Sequence, residues 1–218
     1  TRHDVTNTAA VSFKLPVVIL RHSRWKNSAE PMLHISGGPG GLAFLDAKNI
    51  SHWFHNFLIQ NWGVDFVLYY QRGTGLSQPF LDCSDSQADR LASLRLPLNA
   101  TEDSAEFIRQ MQQCQQQLVN SASSQEHIKV ISTQHSAEDI ADLHELLGIK
   151  QWVLMGVSYG TRLALDFVKR FPNKVKSMVL DSVYPPEFDG FETIIENGFK
   201  GIDKLLKYCA SDKSCEAD

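Results

Sequence analysis

Ser158 stands in Gly156-Val157-Ser158-Tyr159-Gly160, directly after the apolar run Gln151 to Met155 and directly before a helical pattern. A serine that attacks a carbonyl carbon from a strand-to-helix turn has a strained backbone and close neighbours, and the flanking glycines supply the room. The chemistry this allows is nucleophilic acyl transfer through a covalent intermediate on the serine oxygen. A bare G-x-S-x-G also occurs as an ordinary glycine-rich turn; its position between strand and helix favours the nucleophile.

A second loop, His34-Ile35-Ser36-Gly37-Gly38-Pro39-Gly40-Gly41, overlaps the apolar run Met32 to Ile35. Small residues let backbone N–H groups face an oxygen that gains negative charge, and the donor pair would be the amides of Gly38 and of Tyr159. Such an oxyanion hole stabilises a tetrahedral intermediate. The competing reading, a phosphate cradle, lacks the Lys-Ser/Thr ending of a Walker loop, and Pro39 removes one donor. The third loop, Gln71-Arg72-Gly73-Thr74-Gly75-Leu76-Ser77, has no third glycine and no helix start, so it reads as a tight turn and not as a dinucleotide site. Arg72 is expected to anchor neighbouring loops through hydrogen bonds.

Loops of this kind need a sheet to hold them. Apolar runs at Val17–Leu20, Met32–Ile35, Phe66–Tyr70, Trp152–Met155 and Val175–Leu180 have strand length and are rich in β-branched or aromatic residues. They are continuous and do not alternate, which predicts strands covered on both faces: an α/β architecture, a largely parallel sheet with flanking helices. One helix is expected after Ser136, with Asp139 in the place of the capping-box acid and Gly148 as the stop. A second follows Ser158, turns Leu163, Phe167, Val168 and Phe171 inward and ends at Pro172. A third spans 191–208. The polar stretch from about 78 to 132 reads as an insertion at the sheet rim with one helix, whose apolar side is Phe107, Ile108, Met111 and Cys114 and whose wet side is glutamine-rich.

The 218 residues are 43% apolar and 21% charged, enough for a sizeable core. A net charge of −4 gives no electrostatic reason for a polyanionic partner, so nucleic acid is not expected. No apolar run has the length of a bilayer span, so no membrane partner is expected. Cys83, Cys114, Cys209 and Cys215 include no Cys-x-x-Cys pair, which argues against zinc ribbons, and no metal or cofactor is expected. Four buried thiols in a cytosolic protein are one reading. Cys209 and Cys215, however, lie in the short polar stretch CASDKSC, where a disulfide-closed loop is more natural than core packing. Cys83 and Cys114 would then form a second bridge closing the long polar excursion, in an oxidising compartment. The sequence opens at Thr1 and not at Met, so a processed or excised chain is expected, with any export signal already gone.

GGPGG, QRGTGLSQP and GVSYGTRLAL, in this order and spacing, resemble the α/β-hydrolase family of proline iminopeptidases, peptidase family S33, and more closely its secreted tripeptidyl aminopeptidase-like branch. The likeness runs from about Phe13 to the end. It implies an α/β-hydrolase fold, a Ser–Asp–His triad that releases residues from peptide N-termini, and a helical cap. Ser158 matches the nucleophile, and Gly38 and Tyr159 match the oxyanion positions. LDSVYPPE resembles the strand exit into the cap, and CASDKSC resembles a cysteine pair of the secreted branch, which supports Cys209–Cys215. Ser36 stands where the iminopeptidases carry histidine, and Tyr70 where aspartate commonly precedes QRG.

In that fold the triad runs Ser, acid, His along the chain, yet His3, His22, His34, His52, His55, His127, His135 and His144 all precede Ser158. The triad acid and histidine are therefore expected outside this chain, and Asp181 is better read as a structural residue at a strand end. His34 and His135 adjoin loops at the expected site, although a base must reach the serine from the opposite side. The expectation is an N-terminal part of a longer enzyme, as an excised fragment, a cleaved chain or a truncated gene product. Residues 1–185 would be the first part of the core and 186–218 the start of the cap. The expected activity is a secreted or periplasmic serine aminopeptidase acting on peptides with a free N-terminus, nearly inactive as residues 1–218 alone. Its expected partner is its own C-terminal segment or a second copy. An esterase or other acyl hydrolase is the alternative within enzymes, and a noncatalytic binding module or relic the alternative outside them.

Overall fold

Five apolar runs pair into one sheet, comprising β1 (Val17–Leu20), β2 (Met32–Ile35), β3 (Phe66–Tyr69), β4 (Trp152–Val157) and β5 (Val175–Asp181). The computed structural model describes residues 11–21, 30–43, 45, 47–53, 55, 63–120, 125–188, 190–212 and 215. Strand order is β1-β3-β2-β4-β5; β3, β2, β4 and β5 run parallel and β1 is antiparallel to β3. Every residue of β2 and β3 is buried, the physical reason that their sequences show no polar alternation. On one face Leu20, Met32, Phe66, Leu68 and Tyr70 cluster with Ala43 and Leu45, and Ile50 and Trp53 of α1 (Ala47–Trp53) pack against them. Alternation turns Leu33, Ile35, Val67 and Leu154 to the other face. There α6 (Tyr159–Arg170) packs on β4, β2 and β5 and against α5 (Thr133–Leu146), and Ile140, Leu163 and Phe167 are fully buried.

Three expectations about helices are corrected. The stretch from 78 to 132 holds α2 (Ser84–Ser93), α3 (Ala100–Asn120) and α4 (Gln125–Lys129), and not one helix. In α3 the wet and dry sides are not those expected: Phe107 and Ile108 are 45% and 56% exposed while Gln110 is 0% exposed. The Gln110 amide nitrogen donates to Glu106 within the same helix while its Oε1 is buried without a partner among the described residues, and none of these covers Phe107 and Ile108 fully. Finally, α5 begins one turn early. Its N-cap is Ser132, extended at φ −156° and ψ 162°, whose hydroxyl oxygen accepts from the His135 amide; Ser136 lies buried inside the helix and Asp139 takes no capping role.

Cys83 is bonded to Cys114, and Cys209 to Cys215. The first bridge ties the segment leading into α2 to the middle of α3. The chain divides into two compact units, Thr1–Val183 and Tyr184–Asp218. The second carries α7 (Gly190–Ser211), a long helix with Phe199, Ile202, Leu205 and Leu206 exposed. Among the described residues no helix is long and apolar enough to cross a membrane.

Candidate active site

At the C-terminal end of β4 the chain passes straight into α6 through Ser158, which takes φ 55° and ψ −121°. That left-handed region is costly for a residue with a side chain, and it persists here because the turn is held from three directions. The Ser158 amide donates to the Asp181 carbonyl at the end of β5 (2.9 Å). The Ser158 carbonyl accepts from the Thr161 amide (2.9 Å) and from Thr161 Oγ1 (2.7 Å). Close packing completes the hold: a methyl group added at Gly160 would lie 2.1 Å from the Ile35 carbonyl oxygen.

The glycine loop after β2 lies against this turn. A Cβ built on Gly37 would come within 2.9 Å of Ser158 Cβ and 3.4 Å of its Oγ, so only glycine lets the loop reach the serine. The Gly41 amide donates to the Gly37 carbonyl (3.0 Å), closing the loop into a tight turn with Gly38 at φ 116°. Gln71, buried at the end of β3, donates from Nε2 to the Ser36 carbonyl (2.9 Å). On the other side the ring of Tyr159 is buried and its hydroxyl pairs with Thr133 Oγ1 (2.9 Å).

Arg72 is the anchor expected of it. Nε donates to Asp139 Oδ2 (2.7 Å), Nη1 to the Val130 carbonyl (2.8 Å) and Nη2 to the His135 carbonyl (2.7 Å). Both side chains of the ion pair are 1% exposed, and the guanidinium carbon lies 5.1 Å from the centre of the Phe13 ring. Asp181 is a strand-end residue: its carbonyl holds the Ser158 amide and its Oδ1 accepts from the Ser182 hydroxyl (3.0 Å).

Of the two upstream histidines, His135 is held at its helix cap and His34 is buried in the sheet. The His135 ring nitrogen Nδ1 is engaged with the Ser132 hydroxyl (2.8 Å). His34 is buried on β2, its ring 4.8 Å from that of Trp53 and 6.3 Å from that of Phe66. Burial pushes its pKa down to about 4, so the imidazole is neutral at physiological pH. His3 and His22 lie outside the described residues, as does the ring of His52. Among the described residues no cluster of His, Cys, Asp and Glu could hold a metal ion.

The depressed His34 pKa makes stability depend on pH. The unfolded chain takes up a proton as pH falls through 6.5, and the folded chain refuses it until about 4. Stability contributed by the neutral ring is therefore complete above pH 6.5 and is lost progressively between 6.5 and 4, by about 3 kcal/mol in all. Urea midpoints measured across that window should fall for the wild type, with a visibly shallower fall in His34→Phe. Equal slopes for the two proteins would contradict the assignment.

Gln71, Thr133, Asp139 and Thr161 are the residues that sequence reasoning did not place at the site. Only the first had a signal, its position in the QRG run after a strand. The other three are polar helical residues whose role appears once α5 and α6 are packed on the sheet.

A parallel sheet that delivers a strained serine into a helix beneath a glycine loop defines the α/β-hydrolase class. The chain belongs to that family: the family model for the alpha/beta hydrolase fold matches residues 30–210. Among individual proteins, it is 28% identical over 186 residues to YuaR of Escherichia coli, covering 83% of this chain and 34% of that one. It is 28% identical over 158 residues to a tripeptidyl aminopeptidase of Streptomyces lividans, covering 72% and 29%. It is 26% identical over 155 residues to the serine protease Hip1 of Mycobacterium tuberculosis, covering 69% and 30%. The chain thus spans about a third of the length of the curated relatives it matches.

Proposed function

We propose that this chain carries the nucleophile and oxyanion hole of a serine peptidase that releases residues from the free N-terminus of peptides. The observation that carries the reading is the Ser158 turn, φ 55° and ψ −121°, seated against Gly37. In this reading Ser158 Oγ attacks the scissile carbonyl carbon, the Gly38 and Tyr159 amides receive the oxygen that becomes negative, and the leaving amine departs to give an acyl-enzyme that water hydrolyses. A base must take the serine proton and return it to the amine, and an acid must orient that base. We assign both to protein sequence outside residues 1–218, since no histidine follows Ser158 here and the relatives are about three times as long. The aminopeptidase reading draws on the likeness to the Streptomyces enzyme. Residues 186–218 are read as the start of a helical cap. The two disulfides support a secreted or periplasmic location. Among the described strands β5 lies at the sheet edge, with Val179 on it and Val183 just beyond it exposed, which fits pairing with further sequence of the same protein or with a second copy.

Residues 1–218 alone are expected to be nearly inactive, because a serine without its base is a weak nucleophile. Coexpression with the sequence encoded after residue 218 should restore cleavage of aminoacyl and tripeptidyl p-nitroanilides. Turnover of simple acyl esters without any anilide cleavage would move the protein to the esterases. No turnover of either class by the joined protein, with Ser158 inert to a fluorophosphonate, would make it a noncatalytic module. Strong turnover by residues 1–218 alone would overturn the placement of the base.

A further inference from the structure

We infer that Thr161 and Gln71 are positioning residues that aim the two oxyanion-hole amides, an inference that rests on the reading of Ser158 as nucleophile and of Gly38 and Tyr159 as donors. In a planar trans peptide the N–H points opposite to the C=O of the same unit, so whatever grips the carbonyl sets the direction of the amide. The unit that carries the Tyr159 N–H begins at the Ser158 carbonyl. That carbonyl is gripped twice by Thr161, through its amide (2.9 Å) and its hydroxyl (2.7 Å). Threonine hydroxyls commonly bond a carbonyl one turn back in a helix. Here the carbonyl belongs to a residue outside the helix, at φ 55°, so the bond fixes a strained turn and not a helical repeat.

The Gly38 side is built the same way in two stages. The unit that carries the Gly38 N–H begins at the Gly37 carbonyl, which accepts from the Gly41 amide (3.0 Å). The unit before it begins at the Ser36 carbonyl, which accepts from the buried amide of Gln71 (2.9 Å). With both planes around Gly37 pinned, the loop residue that lies against Ser158 has little freedom to rotate. Thr161 is fully buried and Gln71 nearly so, so neither side chain can exchange its carbonyl for solvent. The third motif of the sequence thereby finds a role: Gln71 holds the loop, and Arg72 beside it fastens the start of α5, whose Thr133 holds the Tyr159 hydroxyl.

Mispointed donors weaken transition-state stabilisation while leaving ground-state binding in place. In the whole enzyme, Thr161→Val, which removes only the hydroxyl, is expected to lower kcat about tenfold with KM unchanged. Thr161→Ser, which restores the hydroxyl, should recover kcat to within about twofold. Gln71→Met should give the same split, and the rate of Ser158 phosphonylation by a fluorophosphonate should fall with kcat in both. Gln71→Glu adds a pH signature: its carboxyl can donate to the Ser36 carbonyl only when protonated, so its deficit should grow as pH rises. A lowered Tm with unchanged kcat in Thr161→Val would show a merely structural hydroxyl and overturn the inference. If Gln71→Met does not fold, the Thr161 pair decides the matter. Failure of the underlying reading looks different, for Ser158→Ala would then keep its activity.

Discussion

Ser158→Ala is expected to remove hydrolysis by the whole enzyme by roughly 10⁴-fold or more, and to abolish labelling by a fluorophosphonate altogether. The magnitude follows from what the hydroxyl does. Without an oxygen in this position no acyl-enzyme forms, and the remaining oxyanion donors can only assist direct attack by water. The substitution should be gentle on the fold, because the turn is held by the Ser158 main chain, through the Asp181 carbonyl and Thr161, and not by its hydroxyl. The measurement is kcat/KM on a p-nitroanilide together with Tm. Residual turnover within tenfold of the wild type would show that the reaction does not pass through Ser158.

Arg72→Met is expected to cost about 4 kcal/mol of stability. Arg72 and Asp139 are each 1% exposed, so removing the guanidinium strands a carboxylate in a medium that cannot hydrate it. The Val130 and His135 carbonyls lose the Arg72 hydrogen bonds at the same time, which loosens the corner between α4 and α5. Adding Asp139→Leu should recover part of the loss, since the stranded charge is then gone, whereas the two bonds from Arg72 to the carbonyls stay lost. Urea titrations of the single and double variants measure both. A loss below about 1 kcal/mol for Arg72→Met would mean that the pair contributes no more than a surface ion pair does.

Much of this protein was legible in its residues. Five apolar runs marked five strands; burial on both faces explains the unbroken runs of β2 and β3, whereas β1 has one buried residue and β5 none, so the expected cover on both faces does not hold there. Ser158 and the Gly37 loop were legible for a related reason: each stands at the end of a strand, and glycine is the residue type that allows the close approaches measured there. Other features came only with the tertiary structure. α5 starts at Ser132, whose hydroxyl caps the His135 amide, and Asp139, which a local pattern assigns to a cap, is instead paired with Arg72 from 67 residues away. Gln110 is buried while Phe107 and Ile108 are exposed, an outcome set by how α3 lies against its neighbours and not by its own periodicity. The aim of the two amides is likewise decided in three dimensions, by Thr161 across a turn and Gln71 across the sheet. Local sequence determines which backbone shapes are cheap; which carbonyl a buried donor finds is settled by packing between segments far apart in the chain.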